Sequence, residues 1–447
     1  MKSLHVCCLM RVLILIPALL SVVAADRILV LLESLSAREK YSLFFMSLEE
    51  RGHQLFYAAA DDPTVSILQY GMKAYDHLII FSPSVEEFGG SLNVNAINKF
   101  LDDDGNILVA GGPHLGQGIR KLALENGFEF DDTKTMVIDH VNYDTHLDDG
   151  YHTTIVATKE QLIDAQLLTG GSELKPILYK GIGMVSHSKS NKLRLEVLRG
   201  TYTTYSFDPK SPVDEYPAAI GQQVVLVGAV QARNNARVVF TGSVDMFSDE
   251  YLSADVHHFA KGATASRCGN LELVVALSRW AFGESGILRV AKVEHRLVGS
   301  KKKNPREYTI MDEVVYEIEI DEYLDGEWQP FGAKDVQLEF VRIDPFIRTT
   351  LKNENGRFTA RFKIPDVYGV YKFLVDYNRL GYTHLRDVKQ VSVLPLKHTQ
   401  YERFIRSAYP YYASSLSMMV GVVLFSFVFL YYKEPTKVAT TAAKKTN

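Results

Sequence analysis

Three residues of this 447-residue chain have side chains suited to nucleophilic catalysis: His114, Ser243 and Asp245. His114 lies in VAGGPHLGQG, residues 109–118, and the other two lie in GSVDMFSDEY. A serine becomes a nucleophile when a neighbouring base takes its proton. Ser243 lacks the G-x-S-x-G pattern of a nucleophile elbow, and the sequence assigns it no base. We expect His114 to be an ordinary loop histidine, and a hydrolase or transferase that uses the three residues stays one open alternative.

Acidic side chains are clustered twice, in LDDDG (Asp102 to Asp104) and in THLDDGYHTT. The second cluster holds Asp148 and Asp149 between His146 and His152. Carboxylate oxygens suit Mg²⁺ or Mn²⁺, so each cluster is a possible metal loop. The first cluster ends a predicted helix beside a glycine, which is ordinary turn chemistry, and we expect the second to be a solvated loop. The sequence therefore predicts no metal ligands.

Phosphate-binding motifs do not occur in the sequence. Gly116 and Gly118 are followed by Ile119 and Arg120, which breaks the G-x-G-x-x-G pattern, and the pattern G-x-x-x-x-G-K-[ST] is absent. The net charge is -4, which argues against a nucleic acid or an anionic lipid surface as partner. We therefore predict no cofactor and no nucleic-acid partner.

The segments that would position these residues alternate between strands and helices. RILVLLE, HQLFYAAA, YDHLIIFSP and NILVAGGP are predicted strands, and the segments between and after them are predicted helices. The first of these helices would begin with a capping box of Ser36 and Glu39 and end at Gly52. Successive βα units predict a parallel, open α/β sheet that binds ligands at the carboxyl ends of its strands.

Two further patterns complete this first domain, which we predict to cover residues 26–283. QVVLVGAVQARNNARVVFTGS predicts an antiparallel hairpin that turns at Asn234 and Asn235. NLELVVALSRWAFG predicts an amphipathic closing helix. The domain resembles the flavodoxin-like fold of class I glutamine amidotransferases, but its turn from Gly111 to His114 lacks the cysteine that such enzymes need.

A second domain, residues 284–396, has the period-two pattern of exposed and buried strand residues. DEVVYEIEIDEY, KDVQLEFVRID, GRFTARFKIPD and GVYKFLVDYNR alternate in this way and are separated by turns, one of them at Asn355-Gly356. The pattern predicts an antiparallel β-sandwich. The basic segment GSKKKNPRE before these strands is expected to be a solvated loop.

The two ends of the chain predict a membrane topology. Residues 1–25 have a positive start, an apolar run and a small-residue site, as in a cleaved secretory signal peptide. Cys7 and Cys8 would leave with it, so Cys268 would have no disulfide partner in the chain. A juxtamembrane segment, residues 397–411, leads to an uncharged run at 412–432 that is long enough to span a bilayer.

Tyrosines flank this predicted span on both sides. A ring with a polar tip suits the membrane–water interface, so we predict five interface anchors, namely Tyr409, Tyr411, Tyr412, Tyr431 and Tyr432. A signal peptide followed by one span places residues 26–411 in the lumen and the basic tail, residues 433–447, in the cytosol. The small residues Ser414, Ser417 and Gly421 would let a neighbouring helix approach closely.

The stretch HTQYERFIRSAYPYYAS, residues 398–414, resembles the family of 48 kDa subunits of the eukaryotic oligosaccharyltransferase, and the resemblance extends over essentially the whole chain. It implies a non-catalytic subunit that scaffolds a complex in the endoplasmic reticulum membrane. That complex transfers a preassembled oligosaccharide from dolichyl diphosphate to Asn of Asn-x-Ser/Thr. The implied partners are a catalytic multispanning subunit, the ribophorins and the small defender-against-cell-death subunit. A luminal glycan-binding module stays an alternative.

The last residues, TTAAKKTN, complete the predicted topology. Lys444 and Lys445 stand four and three places from the end of the chain, as in the dilysine signal that coat proteins read to retrieve membrane proteins from the Golgi. We interpret Lys433 and Lys437 more simply, as basic residues that lie near lipid headgroups.

Overall fold

The computed structural model describes residues 26–434, except 70, 172–174, 188–190, 192, 262–265, 325 and 404. The predicted signal peptide and the predicted retrieval signal, Lys444 and Lys445, lie outside the described residues.

The first domain is a mixed α/β structure. Its strands are β1 (Arg27–Leu32), β2 (Gln54–Ala59), β3 (Leu68–Gln69), β4 (Met72–Lys73), β5 (His77–Phe81), β6 (Asn106–Ala110), β7 (Phe128–Phe130), β8 (Met136–Ile138), β9 (Ile155–Ala157), β10 (Ile177–Tyr179), β11 (Met184–Ser186), β12 (Arg194–Arg199), β13 (Tyr205–Phe207), β14 (Val225–Gln231), β15 (Arg237–Thr241), β16 (Asp255–Val256) and β17 (Ser266–Arg267). Its helices are α1 (Ser42–Glu50), α2 (Val94–Asp102), α3 (Gln117–Glu125), α4 (Gln166–Thr169), α5 (Asp249–Ser253) and α6 (Asn270–Ala281).

Nine of these strands form one sheet with the order β2-β1-β5-β6-β15-β14-β11-β7, and β12 also pairs with β14. The five strands from β2 to β15 in this order are parallel to one another, as the βα units predict. Side chains of β1 enter two separate cores: Val30 packs with α1 and α6 on one face, and Leu29 and Leu31 pack with α2 and α3 on the other. A strand covered on both faces explains its continuous apolar sequence.

The hairpin predicted at Asn234 and Asn235 is confirmed. β14 and β15 are antiparallel, with Val230 opposite Val238, and Asn235 adopts the left-handed conformation at φ 68°. Asparagine tolerates this conformation better than most residues do, which is why the sequence signal was reliable.

The predicted start of the first helix is wrong. Residues Leu35–Tyr41 form a 3-10 helix, and α1 begins only at Ser42, without the capping box of Ser36 and Glu39. The carboxylate of Asp249 instead accepts hydrogen bonds from the backbone N–H groups of Ser42 (3.2 Å) and Leu43 (2.9 Å). A side chain about 200 residues away therefore caps the helix, which local pattern cannot reveal.

The second domain is rich in sheet. Its strands are β18 (Ile287–Leu297), β19 (Glu307–Thr309), β20 (Glu313–Leu324), β21 (Glu327–Pro330), β22 (Gln337–Val341), β23 (Pro345–Thr350), β24 (Lys352–Glu354), β25 (Arg357–Lys363), β26 (Gly369–Tyr377) and β27 (Leu385–Leu394). They form two five-stranded sheets, β18-β20-β25-β24 with β21 paired to β20, and β19-β27-β26-β22-β23. One core holds buried side chains from both sheets. The pair β19–β27 is parallel, so the pairing is not antiparallel throughout.

Buried donors join the two domains. The indole N–H of Trp280 donates to the carbonyl of Gly381 at 2.9 Å, across the domain boundary. The buried guanidinium of Arg237 donates to the carbonyls of Trp280, Ser285 and Gly286, and burial lowers its pKa to about 9. These bonds fix the connection between α6 and β18.

The last helix, α7, runs from Tyr409 to Tyr431, and its side chains are exposed along its whole length. In the part of the chain that the structure describes, it is the one helix long and apolar enough to cross a membrane. The helix begins three residues before the predicted span, with Pro410 in its first turn, where a missing N–H costs nothing.

Candidate functional site

The carboxyl ends of the parallel strands meet at one edge of the large sheet, which we call the carboxyl edge. It consists of the turns that follow β1, β5, β6 and β15. The backbone N–H of Gly111 donates to the carbonyl of Thr241 at 2.7 Å, which joins the turns that carry His114 and Ser243. The N–H of Ser84 donates to the Glu33 carboxylate at 3.0 Å. The turns with the candidate catalytic residues are therefore neighbours, as the parallel sheet predicts.

Ser243 is fully buried in its turn and is engaged in structural contacts. Its hydroxyl donates to the carbonyl of Lys180 at 2.5 Å and accepts from the backbone N–H of Met246 at 3.1 Å. A hydroxyl that holds two backbone segments together is not presented to a substrate. His114 is exposed in the neighbouring turn.

Asp245 is half-buried beside Ser243, and its carboxyl group is held towards the neutral form. Burial raises its pKa, and Glu250 raises it further, against the opposing effects of Lys180 and Lys40. The nearby Tyr41 phenol also has a raised pKa, because of burial first and then the charges of Asp245 and Glu33. Both Asp245 and Tyr41 thus release their protons at a higher pH than the same groups do in water.

The second acidic cluster is connected to this edge through Lys180. The Lys180 ammonium lies 3.4 Å from a carboxylate oxygen of Asp149. Burial raises the pKa of Asp149, but the N–H of Tyr151 and the charge of Lys180, with further hydrogen bonds, outweigh it and lower the pKa overall. Asp148 lies 3.2 Å from a ring nitrogen of His152. Among the described residues, no group of three or more His, Cys, Asp or Glu side chains could hold a metal ion.

The remaining acidic and histidine candidates occupy turns. His146 stacks on His257, with ring centroids 4.7 Å apart. Asp104 adopts the left-handed conformation at the end of α2, where the side chain of Asn234 donates to the carbonyls of Leu101 and Asp102. The cluster Asp102 to Asp104 thus forms the turn expected from its sequence.

The tyrosines predicted as interface anchors lie at the two ends of α7. Tyr409, Tyr411 and Tyr412 belong to its first turn, Tyr431 is its last residue, and Tyr432 follows directly. All five side chains are exposed. From Tyr412 to Tyr431 the helix rises about 28 Å at ~1.5 Å per residue, close to the thickness of a bilayer core.

Comparison with known families covers both domains and the helix. The family model for the OST48 N-terminal domain matches residues 20–284, and that for the OST48 middle domain matches residues 295–433. The chain belongs to the OST48 family.

Curated relatives of this OST48-family chain are similar over almost the whole length. It is 53% identical to a protein of Caenorhabditis elegans, with 92% of each chain covered. It is 51% identical to one of Danio rerio (93% of this chain, 94% of the other) and 50% identical to one of Drosophila melanogaster (93% and 94%). All three are named dolichyl-diphosphooligosaccharide–protein glycosyltransferase 48 kDa subunit.

Solved structures resemble the chain only remotely. Agd3, described as a novel carbohydrate deacetylase, has a TM-score of 0.33 at 10% identity, with 58% of this chain and 33% of that chain covered. A ThuA-like protein of Parabacteroides merdae has a TM-score of 0.30 at 8% identity, with 58% and 90% covered. Scores of this size do not establish a shared fold.

In the OST48-family chain, Cys268 is another side chain committed to packing. It is buried with Leu178 and Tyr251, and its sulfur lies 2.8 Å from the side-chain oxygen of Asn270. Burial raises the pKa of the thiol, which disfavours the reactive thiolate.

Two features of the site were missed by reasoning from the sequence. The buried carboxylate of Asp139 accepts hydrogen bonds from the hydroxyls of Thr201, Thr203 and Thr204 and from the N–H groups of Val141 and Asn142. The only signal for it is the run of threonines in TYTT.

The second missed feature is an aromatic strip beside the acidic cluster, formed by Tyr143, His152 and Phe259. The ring of Tyr143 lies 4.8 Å from that of Phe259, in a stacked arrangement, and 4.1 Å from that of His152. The Phe259 side chain is exposed. The strip therefore presents one exposed aromatic ring and reaches the acidic cluster through His152, which lies beside Asp148.

Proposed function

We propose that this OST48-family chain is a non-catalytic, scaffolding subunit of the oligosaccharyltransferase complex. The complex transfers a preassembled oligosaccharide from dolichyl diphosphate to Asn of Asn-x-Ser/Thr in nascent chains. The observation that carries the proposal is identity to about half of all residues, along almost the entire chain, with proteins named as its 48 kDa subunit. The engaged hydroxyl of Ser243 and the buried thiol of Cys268 support a role without chemistry.

The fold supports a rigid scaffold. If the five parallel strands are renumbered one to five in chain order, as β1, β2, β5, β6 and β15, they lie in the sheet in the order 2-1-3-4-5. We therefore assign the first domain to the flavodoxin-like class, which has this order. We assign the second domain to the β-sandwiches because two sheets share one core. The proposed domain limits remain 26–283 and 284–396, followed by the juxtamembrane segment and the span.

The proposed location is the endoplasmic reticulum membrane, with both domains in the lumen and the tail in the cytosol. The apolar helix α7 supports a single span. The proposed partners are the catalytic multispanning subunit, the ribophorins and the small defender-against-cell-death subunit. In the cytosol, Lys444 and Lys445 would engage coat proteins.

Replacement of the native protein in cells tests the scaffold against the hydrolase alternative. Variants with alanine at His114 and at Asp245 should retain both the assembled complex and the glycosylation of reporter proteins, because neither side chain would carry chemistry. Depletion of the chain should instead lower complex assembly and glycosylation together. Loss of glycosylation in an alanine variant whose complex stays intact would contradict the scaffold.

A glycan-binding surface is a second candidate function, and the aromatic strip favours it. An exposed ring near a carboxylate suits the apolar faces and hydroxyl groups of sugars. If the strip binds glycan, Phe259→Ala should reduce photo-crosslinking of the full chain to the lipid-linked oligosaccharide several-fold. Tyr216→Ala, at another highly exposed aromatic ring, is the matched control. Equal crosslinking by both variants would remove this candidate.

A further inference from the structure

The end of the second domain from which the chain leaves towards α7 has an exposed apolar surface, which we call the exit end. Strand registers define it. Gly369 pairs with Val393, so β26 begins where β27 ends, and Val341 pairs with Lys372, so the β22–β23 turn lies at the same end. Thr309 pairs with Leu394, which brings the β19–β20 turn there as well.

Each of these connections carries a large apolar side chain into solvent. Ile343, at the β22–β23 turn, is 82% exposed, Tyr368, just before β26, is 66% exposed, and Met311, in the β19–β20 turn, is 46% exposed. Apolar tips from three separate turns at one end of a domain are not explained by the domain's own packing.

The tips are held by specific local contacts. The guanidinium of Arg342 donates to the carbonyl of Tyr368 at 3.2 Å, which ties the Ile343 turn to the Tyr368 loop. Met311 has a positive φ of 67°, and the Asp312 carboxylate accepts from the N–H of Thr309 at 2.8 Å to close that turn. The apolar groups are therefore presented on ordered turns.

The opposite end of the same domain contacts the first domain. Gly381 and Tyr382, which follow β26, accept hydrogen bonds from Trp280 and from Gln231. The exit end is therefore the one that lies away from the first domain, at the far end of strands such as the twelve-residue β20.

A short connection holds the exit end near α7. Leu396 still packs against the core of the second domain, and α7 begins at Tyr409. The residues between them reach at most about 40 Å at ~3.4 Å per residue. Two 3-10 turns, His398–Gln400 and Arg406–Ala408, shorten that reach. If α7 spans a bilayer, the exit end is thus confined close to its surface.

We propose that the exit end is a second membrane contact, in which Met311, Ile343 and Tyr368 enter the headgroup region of the bilayer that α7 spans. Aliphatic tips beside a tyrosine and an arginine suit this boundary, where apolar groups are buried and polar tips stay wet. Asp344 and Asp366 are also exposed near the tips, so apolar burial rather than net charge drives the contact. The inference rests on the proposed span.

The test places an environment-sensitive fluorophore at single cysteines in the full chain, reconstituted in phosphatidylcholine nanodiscs. Ile343→Cys and Tyr368→Cys report on the exit end, and Leu380→Cys reports on an exposed loop at the opposite end of the domain. Val422→Cys, in the middle of α7, reports on the span itself. The parent chain, in which Cys268 is buried, measures background labelling.

A lipid with a nitroxide near the headgroup should quench the fluorophores at positions 343 and 368 at least threefold more than the one at 380. If the labels at positions 343 and 368 are quenched no more than the label at 380, and the label at 422 reports lipid, the proposed membrane contact is wrong but the span is not. An emission spectrum at 422 that is typical of water and not of lipid would instead show that the span is wrong. A label at 343 that leaves water only when other subunits are added would identify a protein partner there and also overturn the proposal.

Discussion

Single carboxylates in the first domain hold together residues that are far apart in the sequence. Asp249 caps α1 and Asp139 gathers the threonine run, and both act across long stretches of chain. A local pattern such as Ser36 with Glu39 predicts caps only from neighbours in the sequence, so it placed the start of α1 wrongly. The sequence offered Ser243 as a candidate nucleophile, but it could not show that its hydroxyl is engaged, because the carbonyl of Lys180 that accepts from it lies 63 residues away in the chain.

Asp249→Ala should destabilise the first domain by about 1 to 2 kcal/mol, since the N–H groups of Ser42 and Leu43 and the Ser42 hydroxyl lose their acceptor. Denaturant unfolding of the full chain in mild detergent measures the change. Glu250→Ala, at the exposed neighbouring position, should change stability by less than about 0.5 kcal/mol. Equal effects of the two variants would contradict the cap.

Asp139 should make the stability of the first domain depend on pH in the acid range. Burial raises its pKa, but hydrogen bonds from Thr201, Asn142, Val141 and Thr203 outweigh burial, so the pKa in the folded state is lowered. Its contribution is complete above the unfolded pKa of about 3.9 and is lost as the pH falls through the lower folded value.

Asp139→Asn should therefore be less stable than the native chain at pH 7. The difference in stability between the two chains should become smaller below about pH 4. Thermal unfolding of both chains as a function of pH gives the comparison. A gap that stays constant as the pH falls from 7 to 3 would rule out the proposed role of the ionised carboxylate.

At the scale of helices and strands, the predictions from the sequence were most accurate where a single hydrophobic pattern determines the type of element. The continuous apolar runs of β1 and β5 identified a sheet covered on both faces, and the alternation of β20 identified a half-buried strand. β18 was missed because its residues alternate poorly. Its pairing with β20 shifts register between Val290 and Lys292, which breaks the period of two.

Gly286→Ala should weaken the junction between the domains. Gly286 has a φ of 71°, and an added Cβ would lie 2.4 Å from the carbonyl oxygen of Gly381. Gly326→Ala is the matched control, because φ there is 86° but a Cβ would meet no atom within 4 Å.

Gly326→Ala should lower the free energy of unfolding by about 1 kcal/mol, because alanine is less stable than glycine in the left-handed conformation. Gly286→Ala should lower the free energy of unfolding by at least about 1 kcal/mol more than the control does, since the backbone at Gly381 must also move. Unfolding curves of the two variants against the native chain measure the difference, and equal losses would show that the two glycines are needed only for their backbone conformation.

At the scale of the whole molecule, the predicted topology places both domains on the luminal side. The sequence contains no Asn-x-Ser/Thr acceptor, so an introduced acceptor gives a clear signal. Leu380→Thr creates Asn378-Arg379-Thr in an exposed loop of the second domain.

In cells, this variant should gain one glycan that endoglycosidase H removes, and Leu380→Ala should gain none. An unmodified Leu380→Thr chain, made in cells that glycosylate a control reporter, would argue against luminal domains.

Whole-molecule features were the least accessible from the sequence. The exit end brings together turns near residues 311, 343 and 368, which only the register of the two sheets reveals. Membership of the family, by contrast, could be inferred from the juxtamembrane stretch at residues 398–414 before any fold was known.

The most direct test of the scaffold is affinity purification of the tagged full chain in mild detergent, with quantification of the co-purifying proteins. We expect the catalytic oligosaccharyltransferase subunit, the ribophorins and the small defender-against-cell-death subunit to be recovered in amounts close to that of the chain. A chain that is recovered alone, from cells in which those subunits are present and assembled, would contradict it.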